Sequence, residues 1–543
     1  IRFYNLNGFF VKKLAHGVKY YRMQQILLDP HPYAPAVLDR IFADLSGVGC
    51  NSILLEYHAT FPYQGILSSA VRSNAYTREE INAIVCSAAA YGIEIIPKGF
   101  SFTHAKQLVK LEKFQYLADG ESLNLALNEN IELMLESSRE LLLAHPGCRL
   151  IHLGGDEMFG FGRTPESCTA LMEEGFSSMY VDFVNAIAAG LKSEGVRIAI
   201  WSDTLIRYPQ ALEKLDKSIV MFYWDYWAMG EESAFLSIGG GCPDIFVLDR
   251  SGLPRDLNKM FRNPVIRNAG ELPLNHFERY HNYWRWSPGQ KRARSFPYVE
   301  FLREFGLDVV SCFLPYTEKG SILSNYAEKL PHTAVAIRRN YEYDGIGFLC
   351  CLWQPYWPDW RAVWPAIATA FICGISQGKV QTYSELFNQA ATILGDNWTA
   401  EALLSYFNIG NNFEFNDLVD IYWQESSPAE RLRYIQRSGW REEELERLSD
   451  ARTRSEDFLH LFPSAGNGFI RFIVSDLLIR AKAEERLLSQ LSCHTIYDEF
   501  EYQGRLYREF CADFFHSGEN LSLWLERYEP WLKHLSTITM TSA

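Results

Sequence analysis

No run of eighteen or more apolar residues occurs in the chain, which excludes a membrane-spanning helix of ordinary length. Positive charge is also scarce: 52 Lys and Arg against 66 Asp and Glu leave a net charge of -14. Nucleic acid and anionic membranes gain from meeting basic surfaces, so neither is an expected partner. The 11 cysteines form no Cys-x-x-Cys pair and no Cys/His cluster at metal-ligand spacing. They read as reduced, mostly buried thiols, and no metal or cofactor is expected. Ile1 to Lys13 lack the charge-then-apolar order of an export signal, and with the reduced thiols this makes a cytoplasmic setting the expectation.

What the chain does have is apolar and aromatic mass. Hydrophobic residues make up 48% of 543 positions and aromatics 14%, enough for a large core and for ring surfaces that stack on sugars. A small neutral or polar substrate suits the charge balance. From about residue 22 to 375, short apolar runs alternate with amphipathic helical patterns, which predicts repeated βα units and a parallel sheet. Strands are expected at Gln25 to Asp29, Ser52 to Tyr57, Ile93 to Pro97, Leu150 onward, Arg197 to Trp201, Ile219 to Trp224, Asp308 to Phe313 and Gly345 to Trp353. Eight such strands make an α/β fold, a (β/α)8 TIM barrel, the leading architecture.

Between the helix-strand units stand clear punctuation marks. Pro35 opens a helix striped by Val37, Leu38, Ile41, Phe42 and Leu45, and Thr77 with Glu80 forms a capping box for another. The rhythm breaks at about 228–305, rich in Trp, Tyr, Arg and Pro, which reads as an insertion after strand six on the barrel's active face. From about 385, charged amphipathic patterns take over, including Ala429 to Asp450 and Phe469 to Leu491. The expected organisation is a catalytic barrel over 1–385 and an α-helical C-terminal domain over 386–543. The sequence leaves oligomeric state open, a homodimer included, and the aromatic-rich insertion is a surface that could pack against a second subunit.

The segment Leu150-Ile-His-Leu-Gly-Gly-Asp-Glu157 concentrates the chemistry. Its apolar residues suit a parallel strand buried on both faces, its glycines allow a tight backbone turn, and Asp156 and Glu157 then emerge at the carboxyl end, where barrels keep their active sites. Asp29 and Glu56 close strands one and two, where carboxylates can accept hydrogen bonds from sugar hydroxyls. Trp201, Trp224 and Trp353 fall at the ends of strands five, six and eight, while Trp357, Trp360 and Trp364 suit loop and helix packing. Cys312, Cys350 and Cys351 lie on strands and suit packing as well.

His152-Leu-Gly-Gly-Asp156-Glu157 after a strand resembles the signature of glycoside hydrolase family 20, the β-N-acetylhexosaminidases, in its hexosaminidase D branch. Further segments match in order: Leu54 to Gly65, Tyr76 to Glu80, Ile93 to Pro97 followed by Phe102-Thr-His104, Leu123-Asn124, His145-Pro-Gly147, Trp201-Ser-Asp203, Trp224-Asp-Tyr226 and Trp353-Gln-Pro-Tyr356. The resemblance implies an exo-acting hydrolase that removes terminal N-acetylglucosamine or N-acetylgalactosamine from a glycoside or oligosaccharide with retention, through an oxazolinium intermediate made by the substrate's own acetamido group. In that scheme Glu157 is the general acid and base, Asp156 orients the acetamido group, and Tyr226 donates to its oxygen. Asp225 contacts sugar hydroxyls, the three strand-end tryptophans enclose the sugar and its methyl group, and His104 and His152 orient the acids. Asn124 occupies a matching position as a structural residue. The chain departs from the family at strand one, where Gln24-Gln25 precede Asp29 and no Arg-Gly holds the outer hydroxyls, so the preferred epimer stays open.

Two other readings compete. A catalytically inactive sugar-binding barrel would keep the fold without the chemistry. A double-displacement glycosidase would need a second carboxylate as nucleophile, with Asp203 or Asp225 as candidates.

Overall fold

The computed structural model describes residues 19–158, 160–239, 245–253, 266–315, 326–353, 360–379, 382–395, 397–409, 441–489, 494–512, 514–516, 528–529, 531–533 and 535–536. Its centre is one eight-stranded sheet: β1 (Tyr21–Leu27), β2 (Ser52–Glu56), β3 (Glu94–Lys98), β4 (Leu150–His152), β5 (Arg197–Trp201), β6 (Val220–Trp224), β7 (Asp308–Phe313) and β8 (Gly347–Cys350). The strands are ordered β3-β2-β1-β8-β7-β6-β5-β4, and every ladder between them is parallel. The edge strands β3 and β4 come within 8 Å of each other at Cα, so the sheet curls into a nearly closed (β/α)8 barrel. Its strands are buried almost end to end, as expected where helices cover the outer face and side chains fill the inside.

The helices follow their sequence punctuation. Helix α1 (Pro35–Gly47) starts at its proline and buries Val37, Leu38, Ile41, Phe42 and Leu45. Helix α2 (Arg78–Ala90) carries the Thr77/Glu80 capping box, and α3 (Asn128–Ala144) and α4 (Phe176–Lys192) flank β4 in sequence. After β5 the helix shrinks to Asp203–Arg207 and a 3-10 turn at Pro209–Lys214. Beyond β6 the chain leaves the barrel through short strands at Phe235–Ser237, Ile245–Val247 and Ile266–Asn268 and through α5 (Leu274–Trp284). The last stretch of the expected insertion is α6 (Tyr298–Glu304), which packs on β6 and β7 as a barrel helix does.

Strand one is displaced from its expected place. It runs from Tyr21 to Leu27 rather than from Gln25 to Asp29, with Gln24 and Gln25 inside the strand, fully buried on opposite faces of the sheet. The Gln25 amide donates to Glu56 Oε1 (2.5 Å) and its oxygen accepts from the Leu352 N–H (2.8 Å), so this core amide is bonded at both ends, while the Gln24 amide donates to Gln25 O (2.7 Å) and its oxygen has no partner among the described residues.

After β8, α7 (Trp360–Ile375) leads into further helices, among them the packed pair Arg441–Leu461 and Gly468–Leu488, followed by His494–Cys511. This region returns to the barrel: the His516 N–H donates to Pro32 O (2.7 Å), its imidazole meets Glu80 (2.9 Å), and the Arg361 guanidinium lies between the rings of Phe469 and Phe514. Trp360 and Trp364 stack on one another at the start of α7. Gln354 to Tyr356, Trp357 and the first half of the helix expected at Ala429 to Asp450 lie outside the described residues. Among the described residues no helix is long and apolar enough to cross a membrane.

Candidate active site

The chain turns sharply after β4, and the two glycines are what permit it. Gly154 and Gly155 have φ of +83° and +93°, and a Cβ on either would collide, with Ser101 at the first and with the Tyr180 hydroxyl and Phe102 ring at the second. The peptides of the turn are held individually. Gly154 N–H donates to His152 Nδ1 (3.0 Å), Gly155 N–H to Thr103 Oγ1 (3.1 Å), and the Gly155 carbonyl accepts from the hydroxyls of Tyr180 (2.8 Å) and Thr204 (3.1 Å). Glu157 adopts a left-handed φ of 48°, uncommon for a residue with a side chain, and its N–H donates to Asp203 Oδ2 (2.8 Å).

The turn delivers both acids to one partner. His104 Nε2 lies 3.5 Å from Asp156 Oδ2 and 3.5 Å from Glu157 Oε2, and Thr103 Oγ1 donates to Asp156 Oδ1 (3.2 Å). Asp156 is the more enclosed of the pair, with 16% of its side chain exposed against 34% for Glu157. The Asp156 carboxylate, aided by Glu157 and opposed by burial, raises the His104 imidazole to about 9, so it is a cation at neutral pH. Here is an acid pair with one residue half withdrawn and the other open to a ligand.

Around it runs a continuous train of side chains from four strand ends. The His152 ring packs on Trp201 (4.6 Å between centroids), Trp201 on Trp353 (5.3 Å), and Trp353 Nε1 donates to the Tyr226 hydroxyl (2.7 Å). Tyr226 stacks on Trp224 (4.9 Å), and Trp224 Nε1 reaches Asp203 Oδ1 (3.4 Å), which closes the circuit back to Glu157. Burial holds His152 well below the usual imidazole range, so it is neutral, with Nδ1 as acceptor from Gly154. The Tyr226 hydroxyl lies 3.5 Å from Cys351 Sγ, a weak acceptor that a ligand oxygen could replace. Burial, reinforced by Asp156, pushes the Asp203 carboxyl up to about 7.

Three further expected sugar ligands, Glu56, Asp29 and Asp225, already accept bonds from protein groups. Glu56 is fully buried and takes Lys98 Nζ on one oxygen (2.5 Å) and Gln25 on the other, with His58 at 3.3 Å. Burial alone would raise its carboxyl; the Lys98 ammonium overrides this and holds it below the usual carboxylate range. Asp29 receives Arg72 (3.1 Å) and the Ala59 N–H (2.9 Å). Asp225 caps the turn after β6 through the N–H groups of Trp227 and Ala228, and burial pushes it up to about 6. Asn124 bonds Thr164 and Ala126 and is structural. Among the described residues no cluster of three His, Cys, Asp or Glu could hold a metal ion.

Sequence reasoning missed Lys98 and Thr103. Lys98 pairs across the ladder with Glu56, so opposite charges at the ends of consecutive strands were the available signal. Its ammonium also lies 5.9 and 5.7 Å from the rings of Trp201 and Trp353, beneath the aromatic wall.

A sequence model of the glycosyl hydrolase family 20 catalytic domain matches this barrel from the end of β2 through β6. The matched residues are 57–239. The family that the acid turn resembles is thus the one whose model matches this segment. The family-20 segment contains Asp156, Glu157, His104, His152, Trp201, Trp224, Asp225 and Tyr226; Asp29, Glu56 and Trp353 fall outside it. Two curated relatives are similar: Hexosaminidase D of Homo sapiens, 27% identical over 278 residues, covering 49% of this chain and 56% of that protein, and Hexosaminidase D of Bos taurus, 27% identical over 219 residues, covering 38% and 63%. The chain therefore spans less than two thirds of either relative. Among solved structures, the β-N-acetylhexosaminidase from Bacteroides fragilis NCTC 9343 aligns with a TM-score of 0.47 and 14% identity over 69% of this chain and 70% of that one.

Proposed function

We propose that this protein is an exo-β-N-acetylhexosaminidase that releases a terminal 2-acetamido sugar from glycosides with retention of configuration. The observation that carries the proposal is the acid turn, with Asp156 and Glu157 both 3.5 Å from the same His104 nitrogen at the carboxyl end of β4. Bound with its anomeric carbon over this turn, the sugar would present its acetamido oxygen to C1. Asp156, more enclosed and steadied by Thr103, accepts the amide N–H and carries the negative charge that offsets the forming oxazolinium. Glu157, more open, gives its proton to the departing glycosidic oxygen and then takes one from the water that opens the ring. Tyr226 donates to the acetamido oxygen and hands its Cys351 contact over. Trp201, Trp224 and Trp353 supply indole faces for the sugar and its methyl group.

A double-displacement mechanism finds less support, because Asp203 and Asp225 are buried and already accept bonds from N–H groups of the protein. The test is kcat/KM on aryl β-glycosides of N-acetylglucosamine, N-acetylgalactosamine and glucose. Hydrolysis of at least one acetamido sugar, with the 2-hydroxy glucoside slower by orders of magnitude, is expected. Equal cleavage of the glucoside would remove neighbouring-group participation.

A further inference from the structure

Asp203 and Thr204 open the short helix after β5 and grip the peptide chain on either side of Asp156. The Thr204 hydroxyl donates to the carbonyl of Gly155, the residue before Asp156, and Asp203 Oδ2 accepts from the N–H of Glu157, the residue after it. The second Asp203 oxygen accepts from Trp224 Nε1, whose ring stacks on Tyr226. One buried carboxylate thus touches the general acid's backbone and the aromatic wall together. Its own backbone is braced from the inserted region: Gly239, at φ +80°, approaches so closely that a Cβ there would lie 2.7 Å from Asp203 O.

We propose that Asp203 and Thr204 form a positioning clamp that holds Asp156 and Glu157 in register with each other and with the Trp224–Tyr226 wall. The clamp holds Glu157 at its left-handed φ, a conformation that a free turn would leave. The inference rests on the activity proposed above, and it assigns Asp203 a role through other residues rather than as a nucleophile.

Asp203→Asn is the informative variant, since an amide has one acceptor oxygen and its NH2 must then face either the Glu157 N–H or the Trp224 Nε1–H. Displacing the acid by a fraction of an ångström should matter most where protonation of the leaving group matters most. Phenyl N-acetyl-β-glycosides should therefore slow by about 100-fold in kcat, and the 2,4-dinitrophenyl analogue at least tenfold less, with KM little changed. Hydrogen-deuterium exchange of the peptide spanning 150–158 should quicken in the variant while β6 keeps its protection. Thr204→Val tests the other jaw without changing charge and should quicken the same peptide; it decides the matter if Asp203→Asn does not fold. Unchanged exchange in the folded variants, or equal slowing of both substrates, would overturn the clamp. A wild-type protein without activity on any acetamido glycoside would sink the proposed function instead, and the exchange experiment would still judge the clamp.

Discussion

Replacing Lys98 with Met is the most informative test of the buried ion pair at the carboxyl ends of β2 and β3. The substitution keeps much of the side-chain volume and removes the charge that faces Glu56, whose own side chain is fully buried. Gln25 and His58 remain, with His58 Nε2 at 3.3 Å from the carboxylate. Breaking a buried ion pair from one side leaves an uncompensated charge, so the cost at neutral pH should be about 3–5 kcal/mol. The pH dependence should also change sign. In the wild-type protein the Glu56 carboxyl is held low, so it contributes stability above its ordinary range that is lost as pH falls. In Lys98→Met burial dominates, the carboxyl rises, and stability should instead decline as pH climbs above about 5. Urea unfolding at several pH values measures both, and Glu56→Gln with Lys98→Met should recover most of the loss. A cost below about 1 kcal/mol at pH 7, or an unchanged pH slope, would refute the reasoning.

Two further substitutions probe the acid turn. Glu157→Gln should cut turnover of substrates with poor leaving groups by about 10²–10⁴-fold, with azide restoring part of the rate for activated aryl glycosides; normal turnover would take the acid role from Glu157. Gly155→Ala should abolish activity and cost stability, because it meets Tyr180 and Phe102 and adds about 1–3 kcal/mol of backbone strain. Gly147→Ala is its control, with a similar φ of +84° and nothing within 4 Å of the added carbon, so it should leave kcat unchanged.

The barrel was legible because strands buried on both faces read as unbroken apolar runs between helices with explicit start signals. The bounds of β5 and β7 fall where the sequence predicts them. Legibility failed where polar residues fill core positions. Gln24 and Gln25 put the expected start of strand one at Gln25 rather than Tyr21, and Lys98 fell just outside the expected strand three, since its partner Glu56 lies 42 positions away across the ladder. The acid pair was visible as two adjacent carboxylates after two glycines. The grip of Asp203 on Glu157 was not, since it joins residues 46 positions apart through one backbone N–H. The inserted region was recognisable by its break in rhythm, but its end was misjudged because Tyr298–Glu304 buries Tyr298 and Phe301 as barrel-helix residues, and those aromatics matched the composition of the excursion before it.

The central claim is that the sugar's own amide oxygen attacks the anomeric carbon while Asp156 and Glu157 steer and protonate. Titration with the thiazoline analogue of N-acetylglucosamine tests it most directly, because that bicycle copies the intermediate itself. Competitive binding at least a hundredfold tighter than N-acetylglucosamine, largely lost in Asp156→Asn, is the predicted result. Binding no tighter than the free sugar, or indifferent to Asp156→Asn, would contradict the account.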